Sequence, residues 1–208
     1  MSNAEAHFRA IAPPYMLRLL KDFPSLDGKG AAAIFGNLGH ESLGFTKLQE
    51  MKPTVKGSRG GWGWAQWTGP RRRAFEAYCT RTGSDPSSNE ANYAYLFLEL
   101  KGVEGSEAGA VARVVSATGL KDKVDAFERA FLRAGVKHYD ARLKWAEIAA
   151  DALRESYAVP NPRETREPEP EDAIAPPPVN DGISKWWWVL AAVIAAVLSF
   201  VAFVPIPV

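Results

Sequence analysis

Glu41 closes an apolar run and stands directly ahead of a glycine-rich stretch, in Gly36-Asn37-Leu38-Gly39-His40-Glu41-Ser42. On a helix ending there, its carboxyl faces the partial negative charge of the C-terminus, and apolar neighbours strip it of water. Both effects disfavour the ionised form. Such a group suits proton donation to a poor leaving group near neutral pH. The bland alternative is a solvated helix-end glutamate. Glu50 is the nearest second carboxylate, although Lys47 and Lys52 beside it also allow a plain surface ion pair.

A second block follows in Gly61-Trp62-Gly63-Trp64-Ala65-Gln66-Trp67-Thr68. On an extended strand, alternation puts Trp62 and Trp64 on one face and Trp67 on the other. At least one indole then belongs to the core, and another is free to stack on a ligand. Gln66 can offer its amide to a ligand or bond backbone within its own strand. Arg71, Arg72 and Arg73 open a helix whose dipole disfavours cations, so they require either an anionic partner or full solvation.

Other chemistries compete poorly. A single cysteine, Cys79, excludes an intramolecular disulfide framework and any multi-thiolate zinc or iron–sulfur site. Three histidines, His7, His40 and His138, occur without an HExxH pattern, so neither a metal nor a cofactor is expected. Cys79 with His138 could imitate a cysteine peptidase, but the spacing puts Cys79 on a buried helix face. His40 reads as a helix-end surface residue. No Gly-x-Ser-x-Gly, P-loop or dinucleotide fingerprint is present.

The elements that must carry these residues are mostly helical. Pro13 and Pro14 precede a periodic run over 15–23, ended by Pro24. Asp27 can cap a helix over 28–41 whose apolar stripe is Ala31, Ile34, Phe35 and Leu38. Gly36 and Gly39 leave a groove on it where another helix or a ligand can approach. From 44 to 68 glycines and Pro53 break the pattern into a small irregular sheet or hairpin region. Helices resume over 70–81, after Ser87 or Ser88, over about 107–117, from Asp122 or Lys123 towards Gly135, and over about 139–156. No internal repeat is present. The expected fold is α+β and predominantly α, with one small β-hairpin region.

Glu41-Ser42 followed by Gly63-Trp64-Ala65-Gln66 resembles the lysozyme-like superfamily, where lytic transglycosylases and goose-type lysozymes show a similar pairing. The fuller pattern is closer to the phage tail-type lysozymes. It comprises Ala32-x-x-x-Gly36-Asn37, Glu41-Ser42, Gly61-x-Gly63-x-Ala65-Gln66-Trp67-Thr68, Arg72, Arg73, and Phe127-Glu128 ahead of Gly135-Val136. It covers about residues 15–152. The resemblance implies cleavage of the β-1,4 bond between N-acetylmuramic acid and N-acetylglucosamine in bacterial peptidoglycan. Glu41 would then be the general acid and Glu50 the candidate second carboxylate. Gln66, Trp62, Trp64, Ser42 and Arg72 would contact the substrate: Gln66 at a sugar amide or water, an indole against a sugar ring, Arg72 at lactyl or peptide carboxylates. The family more often carries aliphatic or tyrosine residues at the places of Trp62 and Trp64, which bears on subsite preference.

The rest of the chain differs in kind. Of 208 residues with a net charge of +1, residues 159–185 hold six acidic against three basic ones. That leaves 22 basic and 18 acidic residues, a net of +4, in 1–158. This suits a polyanionic wall and is too modest for nucleic acid. Seven of the fifteen prolines fall in 159–184, a disordered acidic linker by composition, able to span up to about 80 Å if extended. Residues 186–208 carry no charge, and 186–204 as a helix would cover about 28 Å, close to a bilayer core. Trp186, Trp187 and Trp188 form a one-sided aromatic belt beside Lys185.

The N-terminal segment lacks the apolar core of a signal peptide. Lys185, Arg166 and Arg163 favour a cytoplasm-facing domain by the positive-inside bias, though acidic neighbours leave the topology open.

These readings give a lysozyme-like domain (1–158), a linker (159–184) and one C-terminal transmembrane helix (185–208) as a single-pass anchor in the host inner membrane. The expected role is a muramidase-type endolysin in phage-type cell lysis, and whether export needs a separate pore-forming partner is left open by the sequence. Two alternatives stand beside it: a lytic transglycosylase, and a non-catalytic, membrane-anchored wall-binding protein.

Overall fold

The computed structural model describes residues 1–50, 52–53 and 57–158. The linker and the apolar segment read at 159–184 and 185–208 lie outside the described residues.

The described residues form seven helices, α1 (Asn3–Asp22), α2 (Gly28–Glu41), α3 (Gly69–Thr82), α4 (Asn89–Lys101), α5 (Ala110–Ser116), α6 (Gly119–Phe127) and α7 (Tyr139–Ala158). Among them α2 is buried along most of its length against α1, α5, α6 and α7. A π-helical turn, Glu128–Leu132, continues α6. Among the described residues no helix is long and apolar enough to cross a membrane.

Local signals set several boundaries as expected. The Asp27 carboxylate accepts the Gly30 N–H at 2.7 Å and starts α2. Ser88 caps α4 in the same way through the Ala91 N–H. Gly83 ends α3 at φ +67°, a left-handed conformation that glycine adopts without strain.

The first helix departs from expectation. It begins at Asn3, capped by Ser2, and runs through Pro13 and Pro14 where a start was expected. Proline inside a helix removes backbone bonds and costs about 3 kcal/mol in isolation. Here Phe8, Ala12, Met16 and Leu19 are all fully buried on one side of α1. Burying each large side chain stabilises by roughly 1.5–3 kcal/mol, enough to carry the helix through. Likewise α6 begins at Gly119, after Thr118, ahead of the expected Asp122.

The groove at Gly36 and Gly39 is filled from within the protein. A Cβ on Gly36 would lie 2.4 Å from the backbone of Ala146, so α7 crosses α2 there. The Phe8 ring occupies the space beside Gly39.

Between α2 and α3, the described residues hold two isolated antiparallel bridges, Gln49 with Trp62 and Trp62 with Trp67. Residues 51 and 54–56 of the expected hairpin region lie outside the described residues. The bridges fold 62–67 into a tight loop, and this changes where its indoles point. Trp64 and Trp67 are both buried in the core. Trp64 stacks on Phe45 at 4.4 Å between ring centres and meets Tyr15 edge-on. Trp67 packs against Phe75 and Tyr95. Its indole N–H donates to the buried carboxylate of Glu99 at 2.7 Å.

Candidate active cleft

Glu41 is the last residue of α2, and its position follows from the rigidity of that helix. Its Oε1 accepts Nη2–H of Arg142 at 2.6 Å. Arg142, on α7, is 1% exposed. It also donates to the Lys137 carbonyl at 2.6 Å and to Asn37 Oδ1 at 3.2 Å. Asn37, one turn before Glu41, in turn donates to the carbonyls of Ala33 and Val124. Local sequence puts only the helix dipole and desolvation at Glu41; tertiary packing adds the Arg142 cation from 101 residues away.

Glu41 opens into a cleft of about 400 Å³ lined also by Glu50, Ala65, Gln66, Thr68 and the segment Leu132–Gly135. One wall is the tight loop. Glu50 is held there by two reciprocal bonds with Gly61: its backbone N–H donates to the Gly61 carbonyl, and its Oε2 accepts the Gly61 N–H at 2.7 Å. Gln66 sits at φ +48°, between Ala65 and the buried Trp67. Its Nε2 donates to the carbonyls of Leu48 at 3.0 Å and Gly63 at 2.9 Å. The amide nitrogen is therefore committed to backbone, and the amide oxygen is what Gln66 has left to offer.

The opposite wall is built by Glu128, a residue of the quoted motif for which no site role was expected. Glu128, fully buried at the start of the π-helical turn, accepts from the Ala134 N–H, the Lys137 ammonium and the Tyr139 hydroxyl. These bonds draw 132–137 into the cleft edge. Arg133 follows the turn at φ +53° and pairs with the buried Glu107. It is the cation of that wall and a cleft residue that no motif had singled out, whereas Thr68, also in the cleft, was in the quoted motif without a site role. Two larger cavities, about 480 Å³ around Arg113 and Arg129 and about 610 Å³ around Leu120 and Tyr157, lie away from Glu41. Chemistry, not size, selects the cleft.

Three expected substrate contacts, Ser42, Trp64 and Arg72, are turned into the protein. Ser42 is fully buried; its hydroxyl donates to the Leu38 carbonyl and accepts the Phe45 N–H, closing α2. Trp64 is enclosed by aromatic rings and presents no face to a sugar. Arg72 is buried at 8% exposure, donating to Glu76 and to the carbonyls of Arg59 and Gly60. The anionic partners anticipated for the arginine run are internal: Glu76 for Arg72 and the buried Glu99 for Arg71. Trp62 remains half-buried, with its N–H on the Pro86 carbonyl and the Arg72 guanidinium 5.5 Å from its ring centre. Ser42 is turned inward as the cap of α2 and Arg72 by its bonds on α3, while the tight loop turns Trp64 into the core where an extended strand would have alternated.

His40 is half-buried and packs near His138 with ring centres 5.7 Å apart, so it is not the surface residue expected. Burial, then the Arg142 and His138 charges, push it down to about 4. Cys79 faces the core from α3, and burial raises its thiol. Among the described residues no group of three or more His, Cys, Asp or Glu side chains is gathered for a metal ion.

The family model described as phage tail lysozyme matches residues 16–153, which include every residue lining this cleft. Neither the curated proteins nor the solved structures give a match.

Proposed function

The chain belongs to the phage tail lysozyme family, and from that premise we propose that it is a muramidase-type glycosidase with Glu41 as its general acid. Family membership supports a lysozyme-type, peptidoglycan-cleaving function. The finer reading is that it cuts the β-1,4 bond between N-acetylmuramic acid and N-acetylglucosamine. The observation that carries it is the convergence of Glu41, Glu50 and Gln66 on one cleft.

A glycosidic oxygen leaves poorly as an alkoxide, so Glu41 protonates it as the bond breaks. Positive charge develops on the sugar, and Glu50 is the other carboxylate lining the cleft that can stabilise it or orient water. The Gln66 amide oxygen accepts a substrate amide N–H or a water proton. Trp62 is the indole of its loop with ring surface left for a sugar.

The proposal extends to place. The uncharged stretch 186–208 supports a bilayer anchor through 186–204, and the proline-rich linker 159–184 supports a tether. An anchored wall hydrolase fits an endolysin held at the host inner membrane better than a virion part, with a separate pore-forming partner where export is needed.

The test is turbidity clearing of purified peptidoglycan by the full chain beside Glu41→Gln, both checked for fold by circular dichroism. Clearing by wild type alone supports the glycosidase. Binding without clearing by either protein replaces it with a wall-binding protein. Product ends then decide the reaction: a reducing sugar marks hydrolysis, and a 1,6-anhydro end marks the lytic transglycosylase.

A further inference from the structure

The two carboxylate oxygens of Glu41 are not equivalent. Oε1 takes the Arg142 guanidinium at 2.6 Å, while Oε2 accepts no hydrogen bond from the described residues. Arg142 cannot follow a moving carboxylate, because the Lys137 carbonyl and Asn37 Oδ1 hold its other nitrogens. Asn37 is itself tied to α6 through the Val124 carbonyl. Three helices thus fix one guanidinium against one oxygen.

From this geometry we propose that Arg142 is a positioning residue that reserves Oε1 and leaves Oε2 to carry the transferred proton. The proposal rests on Glu41 being the general acid. A guanidinium donates only and never accepts, so a proton on Oε1 would face a donor with no lone pair. An oxygen already engaged by a charged donor is also the weaker base of the two. The proton therefore resides on Oε2.

In the step itself, the Oε2–H proton passes to the glycosidic oxygen. The C–O bonding pair moves onto that oxygen as the bond breaks, and Glu41 is left as a carboxylate. Its new negative charge is shared with Oε1, so the bond to Arg142 strengthens as the reaction proceeds. An interaction that grows towards the transition state accelerates the step. His40 lies within charge range of Arg142 and packs beside His138, while the Lys137 ammonium is directed onto Glu128.

The experiment compares full-length wild type, Glu41→Gln, Arg142→Gln and Arg142→Lys on soluble peptidoglycan oligomers, each checked for fold by its melting profile. Arg142→Gln is expected to lower kcat about tenfold or more with KM within about threefold. Arg142→Lys, which keeps a cationic donor for Oε1, is expected to recover part of the lost kcat, a rescue that a purely structural tie would not show in kcat alone. Should Arg142→Gln not fold, Arg142→Lys is judged on the same split of kcat from KM.

A kcat within about threefold of wild type in folded Arg142→Gln, a loss that falls on KM in place of kcat, or failure of both variants to fold overturns the proposal. Wild-type activity in Glu41→Gln would instead remove the general-acid reading on which it rests. An inactive Glu41→Gln beside unchanged Arg142 variants would remove the positioning role alone.

Discussion

Gly36 of α2 and Ala146 of α7 cross so closely that a Cβ on Gly36 would stand 2.4 Å from the Ala146 backbone nitrogen and Cα. The crossing brings Arg142, one turn earlier on α7, against Asn37 and Glu41. Helix contact and ion pair are therefore one arrangement. Gly36→Ala is expected to force the helices apart and cost about 1–3 kcal/mol or more. Urea unfolding measures this. An unchanged midpoint would mean that the helices do not cross there.

The tight loop gives its tryptophans opposite fates, and truncation should separate them. Trp64→Ala empties a fully buried aromatic site and is expected to cost about 3–5 kcal/mol. Trp62→Ala is expected to cost clearly less and to raise KM for peptidoglycan oligomers. Thermal melts beside steady-state kinetics decide. Equal stability losses would contradict the burial difference.

Glu50→Gln keeps an acceptor for the Gly61 N–H and so preserves the loop, but removes the negative charge. If Glu50 stabilises the developing sugar cation, kcat falls on the order of a hundredfold with little change in melting temperature. Unchanged kcat would assign the second role to water or to the substrate's own groups.

His40 supplies a pH dependence whose sign follows from linkage. Its folded value lies at about 4, below the ordinary 6.5, because burial and then Arg142 and His138 oppose its charge. Between these values the unfolded chain binds the extra proton, so stability rises with pH across that window. The contribution is complete above pH 6.5 and is lost as pH falls towards about 4. Unfolding free energies at several pH values in wild type and His40→Gln test this. The variant should show a shallower slope, and equal slopes would sink the assignment.

The apolar stretch predicts where the protein is found. Full-length chain expressed in bacteria should sediment with membranes and resist a salt wash, and removal of residues 186–208 should release it. Recovery in purified virions but not in membranes would overturn the anchored-endolysin reading.

Much of the fold was legible because its signals are local. Asp27, Ser88 and Gly83 act on groups within a few residues, so α2, α3 and α4 could be bounded from neighbours alone. The family was equally legible, since its motif is a fixed order of residue types, and the matched span 16–153 nearly coincides with the one read from those motifs. The placement of Glu41 at a helix end belongs to this class.

What only tertiary structure decided are the partners. Arg142 lies 101 residues from Glu41, and no spacing rule joins them. Glu128 builds the far wall of the cleft through Ala134, Lys137 and Tyr139, and Arg71 finds its anion in Glu99. Trp64, Ser42 and Arg72 looked available because type and order say nothing of which way a loop turns a side chain or which buried partner a helix residue meets. Pro13 and Pro14 lie within α1 for a related reason: the core buried by Phe8, Met16 and Leu19 outweighs a local penalty. Sequence determines which groups can do chemistry and which segments coil. Packing determines which charge each group meets, because burial and long-range contact depend on all the helices at once.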